Sequence, residues 1–174
     1  MCVICIKNKG VEMPSRELLK AMYNANREGC GFCTPTMSYK GLSFDTFMKK
    51  IQSVRKEEPC LIHFRLATNG SVRKGNCHPF YDKVSDTFFM HNGILSVPAK
   101  KDMTDSETAF REYLQPIIRA YGLYSKELKE MVSYIIGGSR FAFMQGEDIR
   151  AFGDFKEYKG LYFSNLRFMY YLNL

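Results

Sequence analysis

Residues 140–172, RFAFMQGEDIRAFGDFKEYKGLYFSNLRFMYYL, carry the reading that decides the fold class. They hold four short runs rich in aromatic and aliphatic residues: Arg140 to Met144, Ile149 to Phe152, Leu161 to Phe163 and Phe168 to Leu172. Each has the length and composition of a strand. The four follow one another with no helical pattern between them. Strands and helices gathered in separate runs point to an α+β fold with largely antiparallel sheet.

Upstream the pattern changes to a period near 3.6. Ser125 is placed to cap a helix that reaches about Ile136 and is closed by Gly137-Gly138. Asp102 to Asp105 precede another, which carries Phe110, Tyr113, Leu114 and Ile117, and Pro116 predicts a kink in it. Before these helices, a strand at about 86–91 runs into Asn92-Gly93, residues 67–80 are loop-rich, and Cys60 to Leu66 reads as a strand. Ser43 caps a helix with Phe44, Phe47, Met48 and Ile51 at core spacing. An extended pair is expected around 31–43, a helix opened by Ser15 over about 16–27, and a buried strand at 2–6. With no internal repeat, low-complexity tract or linker, one domain over residues 1–174 is expected.

The composition is compatible with that. A chain of 174 residues, 45% hydrophobic and 25% charged, buries about two thirds of its unfolded surface and needs no disulfide or metal to fold. No apolar run approaches the roughly 18 residues of a membrane helix. The start, MCVICIKNKG, lacks the order of a secretory signal, so a cytoplasmic protein without a membrane partner is expected. The net charge of +7 is spread over pairs such as Lys49-Lys50 and Arg73-Lys74 rather than one block. That pattern reads first as solvated faces, with a nucleic-acid link left open.

Six cysteines invite two further readings. Cys2-Val-Ile-Cys5 and Cys30-Gly-Phe-Cys33 together have the form of a four-thiolate zinc site, which would make the chain a zinc-stabilised interaction module. Against it, Cys2 and Cys5 sit in an apolar, strand-like run. A thioredoxin-like dithiol at Cys30 and Cys33 fails on context, because Thr-Pro-Thr-Met follows where a helix should begin.

Other residues carry chemistry singly. Cys2 follows the initiator Met, and removal of that Met would set an α-amine, with an ordinary pKa of about 7.7–8.0, beside a thiol it can deprotonate. His91-Asn92-Gly93 reads either as a hairpin turn or as an oxyanion hole made from the Asn92 amide and the Gly93 N–H. Arg65 leaves a strand into a Gly-containing loop, a setting for bidentate carboxylate capture or for an edge-strand surface residue. Asp105 is either helix-start chemistry or a receiver for a substrate ammonium.

Taken in order, these segments resemble the class II glutamine amidotransferases, the N-terminal-nucleophile hydrolases whose mature chain begins with cysteine. The matching stretches are Met-Cys2, Asn26-Arg-Glu-Gly29-Cys-Gly31, Arg65-Leu-Ala-Thr68-Asn-Gly70-Ser71, Asn76-Cys-His78-Pro79-Phe80, His91-Asn92-Gly93 and Asp105-Ser-Glu107, with Phe152-Gly153 and Leu161 to Asn165 near the end. The resemblance covers nearly the whole chain and implies a four-layer αββα sandwich. It implies that Cys2 is the nucleophile, that Asn92 and Gly93 hold the oxyanion, and that Arg65 and Asp105 bind the α-carboxylate and α-ammonium of L-glutamine. Thr68 would lie in the loop that folds over the substrate and His78 would support the site, with no cofactor and no metal. Ammonia would pass to an acceptor-bearing synthetase or transferase supplied in trans. The same fold with another amide substrate, or a non-catalytic member of it, are the alternatives. Glu28 departs from the family's usual Asp.

Overall fold

The computed structural model describes residues 2–66 and 71–172. Among the described residues, ten strands form two antiparallel sheets. The six-stranded sheet runs β3 (Ser38–Gly41), β2 (Cys30–Cys33), β4 (Cys60–Phe64), β1 (Val3–Lys7), β10 (Leu161–Phe163), β9 (Lys156–Tyr158). The four-stranded sheet runs β5 (Phe80–Asp82), β6 (Thr87–Asn92), β7 (Arg140–Gln145), β8 (Asp148–Phe152).

Alternation along the strands sorts the core into three layers, because successive side chains point to opposite faces. Ile4, Ile6, Cys33 and Leu61 face Met90, Ala142 and Met144 across the gap between the sheets. Val3, Cys5, Phe32 and Phe64 point the other way, onto Leu18, Leu19 and Met22 of α1 (Arg16–Ala25) and Phe47 and Ile51 of α2 (Phe44–Ile51). On the far side, Phe89, Phe141 and Phe143 meet Phe110, Leu114 and Ile118 of the central helical run and Leu128 and Val132 of α5 (Lys126–Ile135). The result is a four-layer αββα sandwich, as the resemblance implies.

The helix starts follow their caps. The side chains of Ser15, Ser43 and Ser125 accept from the N–H groups of Leu18, Thr46 and Leu128, which satisfies one orphan donor at each helix start. The central helix departs from expectation at Pro116. It runs as α3 (Asp105–Thr108), a π-helical turn over Ala109–Leu114, and α4 (Gln115–Tyr121). The wider turn lies just before the proline, where the ring would otherwise meet the carbonyl four residues back.

Two short strands, β5 and β9, were not expected, and one expected strand is absent. Residues Arg167–Leu172 form a 3₁₀ helix that packs on α1, with the Phe168 ring 5.0 Å from that of Phe163. The place beside β10, next in the sheet, is already taken by β9.

Candidate active site

The site lies at one end of the gap between the sheets, and strand register assembles it. Val3 pairs with Phe64 in antiparallel register, so the next residues outward, Cys2 and Arg65, leave β1 and β4 side by side. From the opposite sheet, β6 ends at Asn92 and delivers Gly93 to the same end. A small cleft opens there, lined by Cys2, Arg65, Leu66, Asn76, His78, His91, Gly93, Thr104, Asp105 and Ser106. Cys2, Arg65, His78, Gly93 and Asp105 therefore meet, although they come from separate segments of the sequence. Thr68 lies outside the described residues.

Arg65 is buried at 4% exposure, and its backbone is pinned by the loop after α1: its N–H donates to Gly29 O at 2.8 Å, and its carbonyl accepts from Glu28 N at 3.0 Å. Gly31, a little further along, admits no side chain, since a Cβ there would strike the carbonyl oxygens of His78 and Tyr39. The Asn26–Gly31 segment thus forms a tight wall behind Arg65 and His78. Cys2 donates its thiol to Leu66 O at 3.5 Å. Burial raises its pKa above the ordinary thiol range, only partly countered by a backbone hydrogen bond at Leu66 and the Arg65 charge. Ionising this thiol would therefore call for a base beside it.

Asp105 opens α3. Its carboxylate accepts from the N–H of Leu95 at 3.0 Å and from that of Ser106 at 2.8 Å, so it ties the turn after Gly93 to the helix while facing the cleft. Among the described lining residues it is the one carboxylate, and Arg65 the one permanent cation. Asn92 sits beneath the cleft instead of lining it. Its side-chain Nδ2 donates to Ser164 Oγ at 2.8 Å, which leaves a second hydrogen on the same nitrogen.

The turn after Asn92 is not a hairpin. Gly93 has φ +144, and the chain leaves on a helical excursion before returning as β7. A Cβ on Gly93 would strike Ser139, whose hydroxyl donates to Ile94 O at 3.2 Å.

Two residues of the family-like stretch Leu161 to Asn165, neither with an expected role of its own, hold these in place. Ser164 Oγ accepts from Ile4 N and from Asn92 Nδ2, both at 2.8 Å, and so links β1, β10's exit and β6 across the two sheets. Asn165 Nδ2 donates to Cys2 O at 2.8 Å. Replacing Ser164 with Ala strands two buried donors, and about 2 kcal/mol or more of unfolding free energy should be lost in a urea titration. An unchanged midpoint would show that the bridge is dispensable.

All three histidines of the chain are buried at this end of the sandwich. His63 Nε2 bonds His91 O at 3.0 Å, His91 Nδ1 bonds Ser106 Oγ at 2.7 Å, and the rings of His63 and His78 lie 4.3 Å apart. Burial lowers the pKa of each, to about 3 for His63 and about 4 for His91 and well below the ordinary value for His78.

The four cysteines of the two CxxC stretches do not converge. β1 and β2 are separated by β4, a distance of about 9–10 Å across two strand spacings, against the roughly 2.3 Å of a zinc–sulfur bond. Cys5 and Cys30 face the α1–α2 layer, whereas Cys33 faces the other sheet. The zinc-module reading is overturned by this geometry. No group of three or more potential metal ligands exists among the described residues.

Residues 40–154 match the family model of glutamine amidotransferases class-II. The chain belongs to that family. Cys2 and β1 precede the matched stretch. No curated protein matches the chain. Among solved structures, it is similar to glutamine phosphoribosylpyrophosphate amidotransferase from B. subtilis, with TM-score 0.61 and 18% identity, over 94% of this chain and 41% of that one. It is also similar to an allosteric regulatory enzyme of purine biosynthesis, with TM-score 0.62 and 19% identity, over 99% of this chain and 43% of that one. At such identity the likeness concerns the fold, and this amidotransferase-family chain spans about two fifths of those chains' length.

Proposed function

We propose that residues 1–174 act as a glutaminase unit, in which the Cys2 thiolate attacks the carboxamide of L-glutamine and ammonia goes to a separate acceptor. The observation that carries this reading is the cleft lining: one thiol at the head of β1, one guanidinium and one carboxylate. A free α-amino acid presents one carboxylate and one ammonium, and Arg65 and Asp105 match them in sign. An amide lacking either charge would forgo one of these two charge-matched contacts, which disfavours the broader amidase reading.

The chemistry follows from the thiol's environment. Because burial holds the Cys2 proton on, attack requires a base adjacent to sulfur, and the α-amine exposed by removal of Met1 supplies it. The new C–S bond forms as that amine takes the thiol proton, and the carbonyl oxygen becomes an anion received by the Gly93 N–H and the free Asn92 Nδ2 hydrogen. Return of the proton to the leaving nitrogen breaks the C–N bond and releases ammonia. Water then cleaves the γ-glutamyl thioester, yielding glutamate and the thiol.

The test is intact mass after incubation with a glutamine-like diazo-ketone, followed by peptide mapping. The expected product lacks Met1 and carries one adduct on Cys2, which excess glutamine blocks in the parent but not in Arg65→Met. A chain that lacks Met1 yet stays unlabelled would overturn glutamine as substrate, and one that retains Met1 unlabelled would favour a non-catalytic role.

A further inference from the structure

A second concavity lies outside the active cleft, where the exposed edges of the two sheets come together. β3 is the edge strand of one sheet and β5 of the other. Between them is a groove of roughly 920 Å³ of open space, lined by Ser38, Tyr39, Lys40, Lys50, Lys74, Pro79, Tyr81, Phe88 and Arg111. We infer that this groove binds a phosphate-bearing nucleobase, with the phosphate on the lysines and Arg111 and the base on Tyr81. The inference is independent of the glutaminase reading.

Four cations reach the groove from β3, α2, the turn at 74–76 and the π-helical turn, and no carboxylate is among the described residues that line it. Among the described residues, Lys40, Lys50 and Lys74 form no ion pair, and the one ion-pair partner of Arg111 is Glu107 at 3.8 Å. Concentrating like charge in a concavity is unfavourable in the empty protein and is relieved by an anion. Lys40 is the fixed member. Its ammonium donates to Gly75 O at 3.2 Å and rests 4.8 Å above the Phe80 ring. Burial, with Arg111 and Lys74 nearby, lowers its pKa despite the opposing pull of Glu107. Arg111 is held in turn by a bond from Nη1 to Tyr81 O at 2.9 Å. Its place in a π-helical turn fits the frequent use of such turns at functional sites.

The aromatic side of the groove selects the ligand class. Tyr81 stacks on Phe88, with ring centroids 4.4 Å apart and planes inclined by 28°, and its hydroxyl donates to Asp86 at 2.8 Å. Tyr81 nevertheless stays 39% exposed. A ring backed on one side and anchored at its hydroxyl is a ready platform for a flat base, and cations beside it suit the attached phosphate. Inorganic phosphate alone would leave the platform unused. A free nucleotide and a single-stranded nucleic acid both present this chemistry.

The inference is tested by fluorescence anisotropy of the purified full chain at physiological salt. The probes are a fluorescent ATP analogue and a labelled short single-stranded oligoribonucleotide, with tripolyphosphate as competitor. Saturable binding is expected, weakened roughly tenfold or more by Lys50→Ala with Lys74→Ala and at least about fivefold by Tyr81→Ala. Thermal melts of each variant confirm that the fold is retained. Tighter binding of the strand assigns the site to nucleic acid, and equal or tighter binding of the ATP analogue assigns it to a free nucleotide. The proposal is overturned if neither probe saturates, or if Tyr81→Ala is without effect and tripolyphosphate competes as well as the nucleotide. Binding unchanged by the lysine replacements would also sink it, since the ligand would then sit elsewhere.

Discussion

Gly93→Ala is expected to cut glutamine hydrolysis by about a hundred- to a thousandfold, the usual worth of one oxyanion donor. The added methyl has nowhere to go. At φ +144 the backbone of Gly93 is one that side chains rarely adopt, and an ideal Cβ would lie 2.6 Å from Ser139 Cβ and 2.9 Å from its Cα, with the Ser139 hydroxyl closer still. Relief requires the 92–95 turn to move, which re-aims the very N–H proposed to meet the developing oxyanion. The fold should survive, since Asp105 still accepts from Leu95 N and Ser164 still holds Asn92. Steady-state kinetics on glutamine will then show a fall in kcat with a smaller change in KM. Adding Ser139→Gly removes the two closest contacts and should restore part of the rate. A Gly93→Ala protein within threefold of the parent would remove Gly93 from the reaction.

That prediction rests on a residue visible in the sequence and a neighbour that was not. Gly93 stood out because Asn-Gly is a strong local signal, although the signal has two meanings and the hairpin lost. The partner strand of β6 begins only at Arg140, so the turn serves close approach instead. Cys2, Arg65 and Asp105 were legible because each belongs to a short ordered motif. Ser164 lies in the matching stretch Leu161 to Asn165, but its role was not legible: its partners Ile4 and Asn92 are 160 and 72 residues away, and a single serine bridging them leaves no periodic trace.

The same division holds for the fold. Capped, periodic helices such as Arg16–Ala25 and Phe44–Ile51 announced themselves. β5 and β9 did not, being three residues each with charged members at sheet edges. Phe168, Tyr170 and Leu172 alternate as a strand would, but with the edge beside β10 already taken the tail coils onto α1.

Lowering the pH below about 6 should destabilise the protein steeply, well before its carboxylates begin to titrate. In the folded chain His63, His78 and His91 are neutral because burial holds their pKa values down, to about 3 and about 4 for His63 and His91. In the unfolded chain each titrates near the ordinary value of about 6.5. The sign follows from proton counting: the unfolded state takes up the protons first, so the stability associated with neutral, buried rings is present in full above that value and is lost as pH falls below it. Three such groups contribute a slope of about 4 kcal/mol per pH unit once the unfolded state is fully protonated. Set against a typical stability of about 5–15 kcal/mol, this places acid unfolding near pH 4–5 for a protein at the lower half of that range. Asp82, held low chiefly by its hydrogen bonds to Arg119, adds its own loss only at more acidic pH. Urea titrations between pH 7 and 5 give the proton uptake directly. Close to three protons per chain are expected near pH 5, falling to about two in His78→Phe, whose ring would lie among His63, Phe80 and Phe89. Uptake of less than one proton would mean that the histidines are charged in the folded protein, which would place new cations beside Arg65 and change the electrostatics of the cleft.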